Sequence, residues 1–326
     1  MVYTKSYFSG LFLLIPAVVL CFCGSVECVS DSDQLLRHHP MVMSHDAATS
    51  YLESSLNIIE SYTQTQAPGT LRSQLDCGAR AFDYRPYLGK DGILVAHHGA
   101  VKVKASMRDS VNGLIDWLKA DVSGRSDELV LLYTSHCEAD GVKDTQEQRC
   151  VDATSELLHD MGISTLSDCA PLKSLTVEGA KQVGRIEDGG SLLAIAGCVN
   201  ENYDEHVNCY GFMDKVLPYC CYGMRQETAW DKFEAYLNNT AGQASTAVDN
   251  LWMLQSHWQS DAVSIPLGDL HRSSVLLDES RAGVNKWLAG KIRARALPFE
   301  TLSIVELDNV CDGGNDVLAA LKESFN

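Results

Sequence analysis

Short apolar runs alternate with amphipathic segments along most of the chain, and that alternation restricts the folds open to it. The runs Met41–Ser44, Ala79–Arg85, Ile93–His97, Leu129–Thr134, Leu192–Ala196, Leu251–Gln255 and Leu302–Leu307 are mostly apolar on both faces. Such runs suit strands of a parallel sheet that is covered on both sides. Between them, Val111, Leu114, Ile115 and Leu118 recur at helical spacing within Met107–Ala120. Cys150–Met161, Gln226–Leu237 and Val284–Ile292 carry similar stripes, which are packing faces. Strand–helix alternation in one stretch predicts an α/β architecture, either a βα-barrel or an open doubly wound sheet. No Gly-rich phosphate loop follows the first run, which disfavours a dinucleotide fold. With no internal repeat and 326 residues, the chain reads as one domain over 33–326.

The first 28 residues read as a secretory signal peptide. Lys5 precedes an apolar run from Leu11 to Cys23, interrupted by Pro16 and followed by Gly24, Ser25 and Cys28. An uncleaved anchor is the alternative, although the run is short for a full span. Loss of this segment removes one Lys and one Glu, so the formal charge of −17 belongs to the mature domain. A surface this acidic excludes nucleic acid as a partner, because phosphate-backbone binding needs basic residues.

Nine cysteines follow Cys28, and export would place most of them in disulfides. Cys137 and Cys150 flank a polar loop and form the first expected bridge. Cys198 or Cys209 with Cys220 or Cys221 is the second, which would tie down a long loop over 197–223. No C-x2-C pair is present, which argues against zinc. Asn238-Asn239-Thr240 is a glycosylation sequon.

Polar residues gather where the strand-like runs end, the face on which barrel enzymes keep their active sites. They include Ser44-His45-Asp46, Asp83-Tyr84-Arg85, His97-His98-Gly99 and Glu306-Leu307-Asp308-Asn309. Asp83 and Arg85 are two apart and share a strand face. His97 and His98 are adjacent, so one of them points into the site. Two imidazoles, an Arg and several carboxylates at one barrel mouth suit phosphodiester cleavage. One His takes a proton from the attacking hydroxyl and the other protonates the leaving oxygen. The Arg meets the phosphoryl charge, and carboxylates orient the rings.

These segments, with Leu75-Asp76-Cys77-Gly78-Ala79-Arg80-Ala81-Phe82 leading into Asp83, resemble the X region of the phosphatidylinositol-specific phospholipase C family, and its calcium-free bacterial branch in particular. The resemblance covers roughly residues 40–137 and the terminal run Val305–Asn309. It implies a single distorted, incompletely closed TIM barrel acting as a monomer on a phospholipid at a membrane surface, without a cofactor or a metal. It makes His45 the general base oriented by Asp308, and His98 the general acid assisted by Asp46 or Asp83. Arg85 would hold the phosphate, standing where the calcium-dependent branch has an acidic metal ligand.

Departures from that family concern the headgroup. The bacterial enzymes carry basic residues after their fourth and fifth strands, whereas this chain reads Ser135-His136-Cys137-Glu138 and Gly197-Cys198-Val199-Asn200-Glu201. His136, Gln255 and His257 are candidate substrate contacts in their place, although His257 also reads as a buried structural residue beside Trp258. Three functions follow: a phospholipase C-like lyase forming a cyclic phosphate, a hydrolase of another phosphodiester such as a glycerophosphodiester or sphingolipid, and a catalytically silent secreted binding protein.

Overall fold

The computed structural model describes residues 34–52, 61–120, 122–141, 145–200, 226–244, 249–259, 265–266 and 273–325. The N-terminal apolar segment, most of the 197–223 loop, and Cys209, Cys220 and Cys221 lie outside the described residues. Among the described residues, no helix is long and apolar enough to cross a membrane.

A curled parallel sheet forms the body. Its strands are β1 (Met41–Ser44), β2 (Ala81–Tyr84), β6 (Leu129–Thr134), β8 (Ser164–Leu166), β9 (Ser191–Ala196), β10 (Val199–Asn200), β11 (Leu251–Gln255) and β12 (Ile304–Leu307). They pair in the order β10-β11-β12-β1-β2-β6-β9-β8. Gly197 and Cys198, both at positive φ, bend the chain between β9 and β10. That bend brings the sheet back to β11, where Leu251 N–H donates to Cys198 O at 2.8 Å. The result is a distorted βα-barrel.

The period-two alternation of the strands sorts their side chains into two cores. Met41, Met43, Ala81, Leu129, Leu131, Leu193, Leu251, Met253 and Ile304 fill the inside. Val42, Phe82, Leu132, Leu192, Leu254, Val305 and Leu307 face outward into a core shared with the helices. Those helices include α1 (Leu71–Asp76), α2 (Met107–Lys119), α3 (Gln146–Asp160), α4 (Val177–Val183), α5 (Gln226–Gln243), α6 (Val275–Ala282), α7 (Val284–Arg293) and α8 (Gly314–Phe325). In α2, Ser106 caps the N-terminus by accepting from Asp109 N–H at 3.1 Å, and Met107, Val111, Leu114 and Leu118 form its buried face.

One expected barrel strand is not in the barrel. The run at 93–97 becomes β4 (Leu94–His98), which pairs antiparallel with β3 (Pro86–Leu88) and β5 (Val101–Ser106). With β7 (Glu138–Ala139), these make a separate four-stranded sheet in the order β5-β4-β3-β7. Turn residues decide the matter. Gly92 and Gly99 take positive φ, so hairpins form on either side of β4. In β5, exposed Lys102 and Lys104 flank buried Val103, the alternation of a sheet with one wet face.

The Cys137–Cys150 disulfide is present. The Cys198 form of the second expected pairing is corrected: Cys198 bonds to Cys169, where the β9–β10 bend meets the segment after β8, and the Cys209 form lies outside the described residues. A third bridge, Cys77–Cys311, joins residues 234 apart in sequence. Beside it, Gly78 adopts φ +106 against the start of α8, where a Cβ would lie 2.9 Å from the Gly314 backbone. The sequon falls within α5, with Asn238 exposed and Thr240 buried.

Candidate active site

The inward face of the barrel is apolar at its lower end and ionisable at its mouth. Continuing the alternation past Met43, Ala81, Met253 and Ile304 brings His45, then Asp83 and Arg85, then Gln255 and His257, then Glu306 and Asp308, to one place. Left-handed turns at Asp46 (φ 44) and Asn309 (φ 46) break the strands where these side chains are needed. Asp and Asn tolerate that conformation better than most residues.

Asp46 links the reactive groups. Its Oδ1 lies 2.7 Å from Arg85 Nε, and its Oδ2 lies 3.2 Å from both His45 Nε2 and His98 Nδ1. Asp83 does not contact His98. It supports the hub from behind: Oδ2 accepts from Asp46 N–H at 3.1 Å and from Arg85 Nε at 3.0 Å, and Oδ1 accepts from Ser135 Oγ at 2.8 Å. Of the two carboxylates open to assist His98, Asp46 is the one in contact.

The two imidazoles are held in defined states by their Nδ1 partners. His45 Nδ1 donates to Asp308 Oδ1 at 2.7 Å. His98 Nδ1 donates to the carbonyl of Thr63 at 2.9 Å, an acceptor that fixes the proton on that nitrogen. Nε2 is thus the nitrogen of each ring left to gain or lose a proton. The His45 Nε2 atom sits 3.2 Å from an Arg85 terminal nitrogen as well as from Asp46. It accepts from the guanidinium when neutral and pairs electrostatically with the carboxylate when charged. Burial of His45 opposes charge, but Asp46, Glu306 and Asp308 outweigh it and raise the pKa to about 10. Asp46 is itself buried, yet Arg85, His45 and His98 hold its carboxyl down at about 2. The ring of His98 is the more open, with 29% of its side chain exposed against 7% for His45.

His97 points the other way. Its Nε2 donates to His136 O at 2.7 Å, anchoring β4 to the end of β6. His136 itself is exposed and lines a cavity of about 450 Å³ with Ser135, Thr154, Ser155, Thr165 and Ser167. Gln255 and His257 lie beneath the mouth, 0% and 1% exposed. The His257 ring stacks on that of His45 with centroids 4.2 Å apart and planes 13° apart. Burial pushes its pKa down to about 4, with the charge on His45 adding to the effect against the pull of Asp308.

Sequence reading missed the residues that hold this mouth together. Thr65 Oγ donates to His45 O at 2.9 Å, and Gln66 Nε2 donates to His45 O and Leu307 O at 3.0 and 2.9 Å. Gln66 Oε1 accepts from Val310 N–H at 3.0 Å, so one buried amide clamps β1 to the turn after β12. Asn285 of α7 donates to the carbonyls of Asp308 and Asn309. The run Thr63-Gln64-Thr65-Gln66 is polar throughout and reads as surface, so no signal marks it for burial.

Two groups among the described residues are close enough to surround a cation: His45, His257 and Glu306, and His45, Asp46 and Asp83. In the second, both carboxylates are already engaged by Arg85. A guanidinium keeps its charge and would repel a divalent ion there.

No family model matches the sequence, and no curated protein does either. Solved structures do match. The phosphatidylinositol-specific phospholipase C of Listeria monocytogenes aligns over 90% of this chain and 96% of its own, at 14% identity and a TM-score of 0.55. That of Staphylococcus aureus, in a structure concerned with its membrane binding, aligns over 91% and 95%, at 16% identity and a TM-score of 0.58. At these identities the likeness is one of fold, and it extends across nearly the whole of both chains.

Proposed function

We propose that the chain is a secreted, metal-independent phosphodiesterase of the phospholipase C type, acting on a phospholipid at a membrane surface. The observation that carries this reading is the Asp46 carboxylate, which lies within 3.2 Å of both imidazoles and the Arg85 guanidinium. A phosphodiester bridging Arg85 places its attacking hydroxyl at His45 and its leaving oxygen at His98. His45 Nε2, freed of its proton, takes one from the hydroxyl as the new P–O bond forms. His98 gives its Nε2 proton to the oxygen whose bond to phosphorus breaks. Arg85 offsets the charge on the phosphoryl oxygens, and Asp308 and Asp46 stabilise the two imidazolium states. An internal hydroxyl yields a cyclic phosphate, and water in its place yields a monoester.

The headgroup is a separate matter. The 450 Å³ cavity at the ends of β6 and β9 is lined by hydroxyls together with Glu147 and apolar Val151 and Leu158, and has no Lys or Arg in its wall. That composition favours an unphosphorylated polyol or another uncharged headgroup over a phosphorylated inositol.

The test is to incubate the purified protein with phosphatidylinositol vesicles, glycosylphosphatidylinositol-anchored protein and a panel of other phosphodiesters in excess EDTA, following products by ³¹P NMR. A cyclic phosphate from an inositol lipid, undiminished by EDTA and absent with His45→Ala, supports the lyase. A monoester from another substrate moves the reading to a hydrolase. No turnover of any substrate, or turnover that EDTA abolishes, overturns it.

A further inference from the structure

Behind His45 lies a second tier of polar residues to which the reaction above assigns no role. The inward alternation of β11 and β12 that brings Asp308 to the mouth also brings Gln255, His257 and Glu306 to the level beneath it, with Gln255 and Glu306 in register. Glu306 is 0% exposed and cannot reach a ligand. Its Oε2 lies 3.2 Å from His257 Nε2. Ligating atoms of His45, His257 and Glu306 all fall within 4.8 Å of one another. An ion-capable pair in a barrel interior is poor stabilisation compared with apolar packing of the same volume. Here it abuts the imidazole that has to exchange a proton, and its two members act on that ring in different ways. The His257 ring covers one face of His45 and fixes its plane. Glu306 adds negative charge on the side away from the substrate.

We propose that Glu306 and His257 are positioning residues for His45: Glu306 strengthens its hold on a proton and His257 its orientation, and neither touches the substrate. This rests on His45 being the proton-accepting group of the proposed reaction. The groups facing His45 are Asp46 next to it after β1, Asp83 on β2 and Arg85 just after it, His98 at the end of β4, His257 beyond β11, Glu306 on β12 and Asp308 just after it, and Glu279 from α6. Glu306 raises its proton affinity from below, Asp308 from behind and Asp46 from the substrate side.

The experiment is an NMR titration of the His45 imidazole in the full chain, wild type against Glu306→Gln, with no substrate present. An opposite charge this near is worth about one to three pKa units, so the His45 pKa should fall by at least about one unit in Glu306→Gln and by less in Glu306→Asp. Where turnover is measurable, the low-pH limb of kcat/KM should move down by the same amount with KM unchanged. His257→Phe, which keeps a flat ring against His45, should retain far more kcat than His257→Ala. A His45 pKa that stays put in both Glu306 variants, with stability alone reduced, would show a purely structural pair and overturn the proposal. If Glu306→Gln does not fold, Glu306→Asp and the two His257 variants decide it. The titration needs no turnover, so absence of phosphodiesterase activity sinks the functional reading and leaves this measurement standing.

Discussion

The two sides of the barrel mouth are built differently. On the side of β1, β2 and β4, the groups that would meet a phosphodiester stand in short polar words at strand ends: His45-Asp46, Asp83-x-Arg85 and His98. On the side of β11 and β12, the same mouth is completed by residues that would not meet it: Gln255, His257 and Glu306 beneath, Asp308 behind His45, and Gln66 crossing from one side to the other. The difference teaches that side chains facing a ligand betray themselves by type, because chemistry needs an imidazole or a guanidinium. Side chains that hold them in place need only a hydrogen bond, which many residue types supply.

The largest expected effects should fall on both sides alike if Asp308 is as necessary as the groups it serves. His45→Ala and His98→Ala should each lower kcat by about 10² to 10⁴-fold, and Arg85→Ala by about 10² to 10³-fold, with circular dichroism unchanged. Asp308→Asn keeps the size of the side chain but removes the charge that orients and charges His45, so it should approach the His45→Ala rate. An Asp308→Asn enzyme within a few-fold of wild type would break the symmetry and confine catalysis to the β1–β2–β4 side. His97→Gln is the internal control, since its ring bonds to His136 O outside the site.

The same contrast explains how much was legible in advance. The parallel α/β sheet could be read because its strands are apolar on both faces, the barrel came from the family resemblance, and period two continues beyond the strand ends to bring residues 45, 83, 85 and 308 inward. The placement of 93–97 could not be read from its apolarity, which a hairpin strand over a helix satisfies equally well. Its turns at Gly92 and Gly99 and the Lys102-Val103-Lys104 alternation were the available signal. Thr63, Thr65 and Gln66 were illegible for a different reason. Thr63 accepts from His98, and Thr65 and Gln66 donate to carbonyls at two strand ends, His45 being 20 and 21 residues away and Leu307 241 from Gln66, encounters that no local pattern encodes. Cysteine spacing suggested the bridge that closes 13 residues but not those that close 29 and 234.

The longest of those bridges offers the next measurement. Cys77–Cys311 ties the end of α1 to the turn three residues beyond Asp308, and so joins the two sides covalently. Closing so long a loop restricts the unfolded chain strongly, and its removal in Cys77→Ser with Cys311→Ser should cost about 2–5 kcal/mol of stability by urea denaturation. If the bridge also holds Asp308, kcat at low temperature should fall in the folded double variant. A stability loss with kcat intact would sharpen the comparison by showing that Gln66 and Asn285 hold Asp308 without help.

Gln66→Ala tests that clamp directly. It leaves Val310 N–H without its partner, while Leu307 O keeps His45 N–H and His45 O keeps Thr65. A buried polar group stripped of its partner costs about 1–3 kcal/mol, and a loss in that range is expected. Small displacements of reacting groups are costly in rate, and kcat should drop roughly tenfold or more with KM little changed. Unaltered kcat in a destabilised Gln66→Ala protein would reduce the strap to ordinary structure.

The smallest effect concerns pH and divides the stacked imidazoles. His257 is held neutral in the folded chain, with a pKa near 4 against an ordinary value of 6.5. The unfolded chain therefore binds more protons than the folded one between these values, and stability is complete above pH 6.5 and lost as pH falls toward 4. At pH 5 the loss should be about 2 kcal/mol, from 1.36 kcal/mol per unit over 1.5 units. His45 has the opposite sign. Its folded pKa is raised, so its contribution is complete below pH 6.5 and is lost as pH rises toward about 10. Asp46, depressed to about 2, adds a loss only below about pH 4, outside the His257 window above it. Glu279, whose pKa burial raises, opposes His257 in this window by favouring the folded chain at lower pH, so the His257 contribution is the difference between wild type and His257→Phe. His257→Phe should flatten the acid flank and leave the alkaline flank in place, while Asp308→Asn should flatten the alkaline flank. A His257→Phe protein whose melting temperature still falls as steeply between pH 6.5 and 5 would show that the stacked ring beneath His45 is not the group that takes up the proton.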